Sequence, residues 1–186
     1  MEIVREYSFC ISFREIGSNE HKPDHRLKIQ VIYSWDNGCK GVGEVYIERS
    51  QQREVILILH GGECSSGTIL HELGHVLGLG HTIKRPDRDH YVTVIWDCIE
   101  KYFPQDKSQS EMLKKNQVDY FGVPYKCNSI MHYNIQNQNC PDFTAKPGLH
   151  CHGQPGKTDI APPEDWQMIN AAHCKGSSSI NCAYTD

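Results

Sequence analysis

The feature that most constrains this 186-residue chain is an eleven-residue run, HELGHVLGLGH, which begins at His71 and ends at His81. His71 and His75 are four residues apart, so on a helix their imidazoles lie on one face, about one turn from each other. Gly78 can adopt the left-handed conformation that ends a helix. The chain can then turn back and bring His81 to the same point. The run therefore predicts a helix, a turn and three imidazoles close enough to share one metal ion.

Three neutral imidazoles that leave one coordination position open are typical of a catalytic zinc site rather than a structural one. Glu72, next to His71, then faces the remaining water and is not a ligand. The alternative is an ordinary amphipathic helix that carries histidines by chance, and a match at five fixed positions makes this alternative rare in a chain of this length. We predict one Zn²⁺ per chain, bound by His71, His75 and His81.

Composition excludes several other classes of protein. Hydrophobic residues make up 38% and charged residues 23% of the chain, as in globular domains. No apolar run approaches the ~20 residues that span a bilayer. The net charge of −4 comes without a basic stripe, which argues against a nucleic-acid partner. Nine cysteines indicate an oxidised, secreted domain, although no signal peptide follows Met1.

Periodicity and turn residues predict the secondary structure. Strands are expected at residues 10–16, 27–33, 41–48, 54–59 and 91–96. A helix is expected from about Thr68 to Leu79 with Ser65 or Ser66 as its N-cap, and shorter helices at residues 111–118 and 164–173. Residues 134–163 are rich in Asn, Gln, Gly, Pro and Cys, so they predict a long loop held by disulfides. We expect one domain over residues 1–175 and a linker-like tail over residues 176–186.

Three segments, taken together, resemble the astacin family of zinc endopeptidases. The histidine run is a metzincin signature, the sequence RPDRDHYV at residues 85–92 is similar to the R-x-D-R-D-x-Y-V extension of astacins, and SIMHY at residues 129–133 is similar to their Met-turn. The resemblance extends from about Cys10 to Cys174. It implies an α+β, metzincin-type catalytic domain with a mixed twisted sheet packed on the zinc helix and a largely irregular, disulfide-stapled C-terminal half.

The resemblance also implies a role for each matched residue. The three histidines are the zinc ligands, and Glu72 is the general base and acid. Met131 is the apolar floor beneath the metal. Tyr133 is the phenol that in astacins can bind zinc and swing away to stabilise the transition state. We interpret His132 as a packing residue rather than a ligand.

Family pairing implies the disulfides Cys10–Cys174 and Cys39–Cys64. For four of the other cysteines we expect Cys98–Cys127 and Cys140–Cys151, although the spacing allows many pairings. Cys182 is then free or bonded outside the chain.

The sequence departs from the family most clearly at Thr82 and before Cys10, and more mildly at Gly80, where many astacins have an aromatic residue. Astacins usually carry Glu directly after the third zinc histidine, where it meets the buried N-terminus of the mature enzyme, and here the residue is Thr82. The usual segment before Cys10, including a first strand, is also missing. Two interpretations stay open: an N-terminally truncated member of the family, or a divergent relative that repacks the gap.

The function expected is a secreted, monomeric zinc metalloendopeptidase that hydrolyses internal bonds of protein or peptide substrates. The alternative is a catalytically impaired, astacin-like binding module, either truncated or a pseudoenzyme. Such a relative typically loses Glu72 or a zinc histidine, and this chain keeps all four. The substrate itself is not predicted.

Overall fold

The described residues of the first half of the chain form a three-stranded mixed sheet. The computed structural model describes residues 11, 28–34, 40–42, 54–60, 65–133, 139–148 and 161–174. Strand β3 (Glu54–His60) is central: β1 (Lys28–Ser34) pairs with it in parallel, and β2 (Lys40–Val42) pairs with its other edge in antiparallel fashion. The nearly continuous apolar run of β3 suits this central position.

The predicted strands at 27–33 and 54–59 are confirmed to within one residue, and the strand at 41–48 is confirmed over residues 41–42. Its remainder lies outside the described residues, as does the predicted strand at 10–16 except for Ile11, which is not in a strand. The predicted tail at 176–186 also lies outside them.

Helix α1 (Ser66–Val76) carries the first two zinc-ligand candidates. Ser65 is the N-cap, and its side chain accepts a hydrogen bond from the Thr68 backbone N–H at 3.1 Å. The predicted end at Leu79 was three residues too late. Gly78 has a φ of 90°, which leaves the helical conformation, and the Leu79 N–H returns to the Gly74 carbonyl at 2.9 Å.

The buried face of α1 packs into the main hydrophobic core. Its partners come from the Met-turn and from helix α3 (Pro163–His173), which confirms the predicted last helix. The core consists of Leu70, Leu73, Val76, Leu77, Ile130, Met131, Ala161, Trp166 and Ile169. Because α1 and the Met-turn share this core, packing fixes the distance between α1 and Met131.

The second half holds a two-stranded antiparallel sheet and a short helix. Strand β4 (Val92–Val94) pairs with β5 (Phe143–Ala145), and α2 (Trp96–Tyr102) begins where the predicted strand at 91–96 was expected to end. Strand β5 lies within the predicted long loop, so that loop is more regular than expected. The predicted helix at 111–118 is wrong: this segment forms turns, and the Leu113 N–H bonds to the distant Lys84 carbonyl at 2.8 Å instead of a helical partner.

The observed disulfide corrects two predicted pairs. Cys98 bonds to Cys140, with Cα atoms 5.5 Å apart, so the Cys98–Cys127 and Cys140–Cys151 pairs are both wrong. The β4–β5 ladder explains this pairing, because the Ile95 N–H also donates to the Asp142 carbonyl at 2.8 Å and so brings the two cysteine segments together. Cys127 and Cys174 are in disulfides too. Cys10, Cys39, Cys64, Cys151 and Cys182 lie outside the described residues, so the Cys10–Cys174 and Cys39–Cys64 pairs stay predictions.

A glycine on α1 allows the close approach of the Met-turn. A Cβ atom placed on Gly74 would meet the Met131 Sδ atom at 2.5 Å, well inside van der Waals contact. Met131 is fully buried, so its side chain has little room to move aside.

We therefore expect Gly74→Ala to lower the free energy of unfolding by ~1–3 kcal/mol, the usual cost of overpacking, despite the better helix propensity of alanine. The measurement is urea denaturation of the metal-free protein. The matched control is Gly80→Ala, because a Cβ there has no neighbour within 4 Å. Equal stability of the two variants would contradict the steric account.

Candidate metal centre

The structure brings the three predicted histidines together. One ring nitrogen from each of His71, His75 and His81 lies within 4.8 Å of the others. The His81 Nε2 atom is 3.0 Å from His75 Nε2 and 3.3 Å from His71 Nε2. Two nitrogens bound to one tetrahedral zinc at its usual bond length are ~3.3 Å apart. The spacing therefore fits a single zinc ion.

Hydrogen bonds to backbone carbonyls fix the tautomer of two ligands. The Nδ1 atom of His71 lies 2.7 Å from the Ile130 carbonyl oxygen, and that of His75 lies 2.8 Å from the Leu79 carbonyl oxygen. A carbonyl only accepts, so each Nδ1 must carry the proton and each Nε2 must present a lone pair. These two lone pairs point to the same place as the His81 Nε2 atom, where the three nitrogens could bind one metal ion. The donor set therefore fits zinc, and its outer hydrogen bonds are those that commonly orient metal-binding histidines.

His81 is held by Tyr133. The Tyr133 hydroxyl lies 2.7 Å from His81 Nδ1, and it also points to the Gln109 side-chain oxygen at 3.5 Å. Burial, reinforced by the neighbouring His75 and His71 imidazoles, lowers the pKa of His81 to about 2. The ring is therefore neutral at physiological pH, as a metal ligand must be.

Glu72 lies on α1 beside His71 and is half-buried. Burial raises the pKa of the Tyr133 phenol, and the carboxylates of Asp106 and Glu72 add to this effect. The Glu72 carboxylate thus acts electrostatically on the Tyr133 phenol. Tyr133 reaches the histidine cluster through His81, and Glu72 is the neighbour of His71 on α1.

His132 is a packing residue, in line with the prediction. It is 3% exposed, its Nε2 accepts from the Tyr125 hydroxyl at 2.7 Å, and its Nδ1 donates to the Tyr133 carbonyl at 3.0 Å. Burial lowers its pKa to about 4, so it is neutral as well. Both ring nitrogens are therefore used, one by the Tyr125 side chain and one by the Tyr133 backbone.

A buried polar chain joins the third ligand, the Met-turn and α3. The Thr82 hydroxyl donates to Ser129 Oγ at 3.0 Å, and Ser129 Oγ donates to Asp165 Oδ1 at 2.7 Å. The other oxygen of Asp165 accepts from the Ile130 N–H at 2.8 Å. Asp165 is 1% exposed, and burial raises its pKa to about 6. Thr82 therefore has buried partners of its own at the position where astacins usually carry glutamate.

The motif at residues 85–92 forms a second set of buried contacts, which supports the segment after His81. Arg85 is paired with Asp87 at 2.7 Å, donates to the Val123 carbonyl at 3.0 Å and stacks on Tyr120 at 4.1 Å. Arg88, which is 3% exposed, donates to the carbonyls of Ile83 and Ser110. Arg85 and Arg88 thus have structural roles, since they hold the segment after His81.

Comparison with known proteins agrees with the three motifs. The family model for the astacin peptidases matches residues 3–174. The chain belongs to the astacin family. The resemblance inferred from the sequence is therefore confirmed.

Curated relatives of this astacin-family chain include two named zinc metalloproteinase dpy-31. The one from Brugia malayi is 33% identical over 188 residues, covering 95% of this chain and 29% of that protein. The one from Caenorhabditis elegans is 38% identical over 107 residues, covering 56% of this chain and 17% of that protein. The chain thus spans less than a third of the length of these relatives.

A solved structure supports the predicted α+β metzincin fold. High choriolytic enzyme 1, a hatching enzyme zinc-protease from the medaka fish Oryzias latipes, matches with a TM-score of 0.65. The match covers 84% of this chain and 72% of that chain at 24% sequence identity. The fold class is thereby confirmed.

Sequence reasoning missed Asp165, Gln109 and Asp106. Asp165 stands in the first turn of a predicted helix, where an acidic residue is ordinary and gives no sign of burial. Gln109 and Asp106 lie in short 3₁₀ turns that periodicity does not reveal. Only the tertiary structure places these side chains near the histidine cluster.

The buried carboxyl of Asp165 predicts a pH-dependent stability. The pKa of Asp165 is about 6 in the folded protein, against an ordinary value of 3.8. Between these pH values the folded protein therefore binds more protons than the unfolded chain. The protonated carboxyl stabilises the fold at low pH, and this contribution is lost as the pH rises from about 4 to about 6. The free energy of unfolding of the wild type relative to Asp165→Asn should therefore decrease over that range, by up to ~3 kcal/mol.

Urea denaturation of both metal-free proteins from pH 4 to pH 7 measures this difference. Asp97→Asn, a change at an exposed position in the first turn of α2, is the control and should leave the profile unchanged. A pH-independent difference between the wild type and Asp165→Asn would show that the buried carboxyl does not titrate in this range.

Proposed function

We propose that this chain is a zinc-dependent metalloendopeptidase that hydrolyses internal peptide bonds of protein or peptide substrates. The observation that carries the proposal is the convergence of the Nε2 atoms of His71, His75 and His81, with Glu72 on the same helix. A site that was only structural would need a fourth protein ligand. Within the described residues, the clustered metal-ligand candidates are these three histidines alone.

Each residue has a chemical role in this proposal. The three histidines hold the ion, which when bound supplies a Lewis acid that polarises the scissile carbonyl and makes water a better nucleophile. Glu72 accepts the proton of the attacking water and later delivers it to the leaving amine. Tyr133 donates a hydrogen bond to the oxygen that becomes negative in the transition state. Met131 supports the ligands from below through its contact with α1.

We also propose one zinc ion per chain, action outside the cell as a monomer, and no nucleic-acid partner. The Cys98–Cys140 bond and the nine cysteines support an oxidising compartment. No helix among the described residues is long and apolar enough to cross a membrane.

The Glu72→Gln variant tests the proposed chemistry. Removing the general base should lower cleavage of quenched fluorescent casein by at least ~10²-fold, because the amide cannot accept the proton. Zinc content should stay at one ion per chain, since Glu72 is not a ligand.

Chelation and re-addition of zinc provide the control for this experiment. Wild-type cleavage should disappear with the metal and return with it. Cleavage that persists in Glu72→Gln or resists chelation contradicts the proposal. A wild-type protein that binds one zinc ion and cuts nothing would instead be a catalytically impaired binding module.

The Tyr133→Phe variant tests the role of the phenol. Loss of one donor to the transition state should lower kcat by roughly 10²-fold while KM and zinc content change little. Tyr102→Phe, which alters an exposed hydroxyl on α2, is the matched control. A change confined to KM would assign Tyr133 to substrate binding instead.

A further inference from the structure

The Tyr133 hydroxyl links His81 to the side chain of Gln109. The Tyr133 hydroxyl oxygen lies 2.7 Å from His81 Nδ1 and 3.5 Å from Gln109 Oε1. An amide oxygen only accepts hydrogen bonds, and a phenol carries one proton. When the phenol donates that proton to Gln109, its oxygen is left to accept from His81. The two hydrogen bonds are therefore made together only when Nδ1 of His81 carries its proton, which leaves a lone pair on Nε2.

A second proton arrangement competes with this one in the metal-free protein. His81 Nε2 is 3.0 Å from His75 Nε2, which presents a lone pair because His75 Nδ1 donates to the Leu79 carbonyl. A proton on His81 Nε2 would be donated to His75. The Tyr133 hydroxyl would then donate to His81 Nδ1 and lose its hydrogen bond to Gln109. The Tyr133–Gln109 bond thus belongs to the arrangement in which all three histidines offer a lone pair.

The turn that carries Gln109 is held by the segment after His81. Gln109 is the middle residue of the 3₁₀ turn Ser108–Ser110, and Ser110 is 6% exposed. The Ser110 carbonyl accepts a hydrogen bond from Arg88, which belongs to that segment. Gln109 itself is exposed, so replacing its side chain costs little packing. The backbone therefore places Gln109 beside Tyr133 without help from the amide.

We propose that Gln109 is a positioning residue of the metal centre, which acts through Tyr133 to favour the His81 tautomer that has Nε2 free for zinc. A larger fraction of the metal-free protein then presents three lone pairs at once, so binding need not include the transfer of a proton within the ring. Hydrogen bonds to the outer nitrogen of a metal-binding histidine commonly tune metal affinity in this way. This role rests on the proposed function, because it concerns the same zinc site, but it does not depend on cleavage.

Zinc affinity, measured in competition with a chromophoric chelator at one fixed pH, tests this role. Gln109→Leu removes the acceptor and keeps a similar size, so its Kd for zinc should be about fivefold higher than that of the wild type, a typical effect of one hydrogen bond. Gln109→Glu keeps an acceptor oxygen and should bind zinc at least as tightly as the wild type. All variants should still bind one ion at saturating zinc, so the readout is affinity and not zinc content.

A Tyr133→Phe background shows whether Gln109 acts through the phenol. Without the hydroxyl, Gln109→Leu should change the zinc Kd no further, because the hydrogen bond is already absent. Gln105→Leu, the same substitution at an exposed position on the preceding turn Pro104–Asp106, is the matched control and should leave the Kd unchanged. An unchanged Kd in Gln109→Leu overturns the proposal, as does an equal effect of this substitution in the Tyr133→Phe background.

¹⁵N NMR of the metal-free protein at neutral pH reads the His81 tautomer directly. The proton should be on Nδ1 in the wild type and should move toward Nε2 in Gln109→Leu, which a merely structural role for Gln109 would not cause. A wild-type proton on Nε2, or identical tautomers in the two proteins, overturns the proposal. Both measurements are made without substrate, so they separate this role from the proposed function, which casein cleavage tests.

Discussion

The metal centre depends on the buried hydrogen-bonded chain from Thr82 through Ser129 to Asp165. His81 lies after the end of α1, beyond the turn at Gly78, so the helix alone cannot fix its position. Thr82 fixes it from the other side, since its N–H donates to the Met131 carbonyl at 3.0 Å and its hydroxyl donates to Ser129. The carboxyl of Asp165 completes the chain by receiving both Ser129 and the Ile130 N–H. The third ligand is thus tied to the Met-turn and to α3 at once.

The buried hydrogen bonds that link Thr82, Ser129 and Asp165 have an energetic cost, and this cost explains their arrangement. Burying a carboxylate is unfavourable unless hydrogen bonds replace its water, and here burial raises the pKa of Asp165 although two hydrogen bonds lower it. The two bonds to Ser129 and Ile130 offset part of the cost. What the protein gains is a fixed Met-turn, in which Ile130 also presents its carbonyl to His71. One buried carboxyl therefore helps to orient His71 as well as His81.

Sequence patterns predicted those parts of the structure that local chemistry determines. The spacing of His71, His75 and His81, the cap at Ser65 and the apolar run of β3 each depend on a few neighbouring residues. The patterns failed for segments whose structure is determined by tertiary contacts. The segment at 111–118 has a helical pattern, but the backbone bond of Leu113 goes to Lys84. The Cys98–Cys140 pair depends on the register of β4 against β5, strands far apart in sequence, so spacing alone could not select it.

The position of Tyr133 bears on how the phenol can act. Its hydroxyl meets the Nδ1 side of His81, whereas the converging nitrogens are on the Nε2 side of the ring, so the phenol holds the ligand rather than standing among the ligands. A rotation of the Tyr133 side chain would replace this hydrogen bond, and the long contact to Gln109, with new hydrogen bonds. A hydrogen bond contributes only about 1 kcal/mol net, so such an exchange is energetically small. The backbone beneath it need not move, because His132 anchors the Tyr133 carbonyl from within the core. A side chain on a fixed backbone can thus change its hydrogen-bond partner at a small energetic cost.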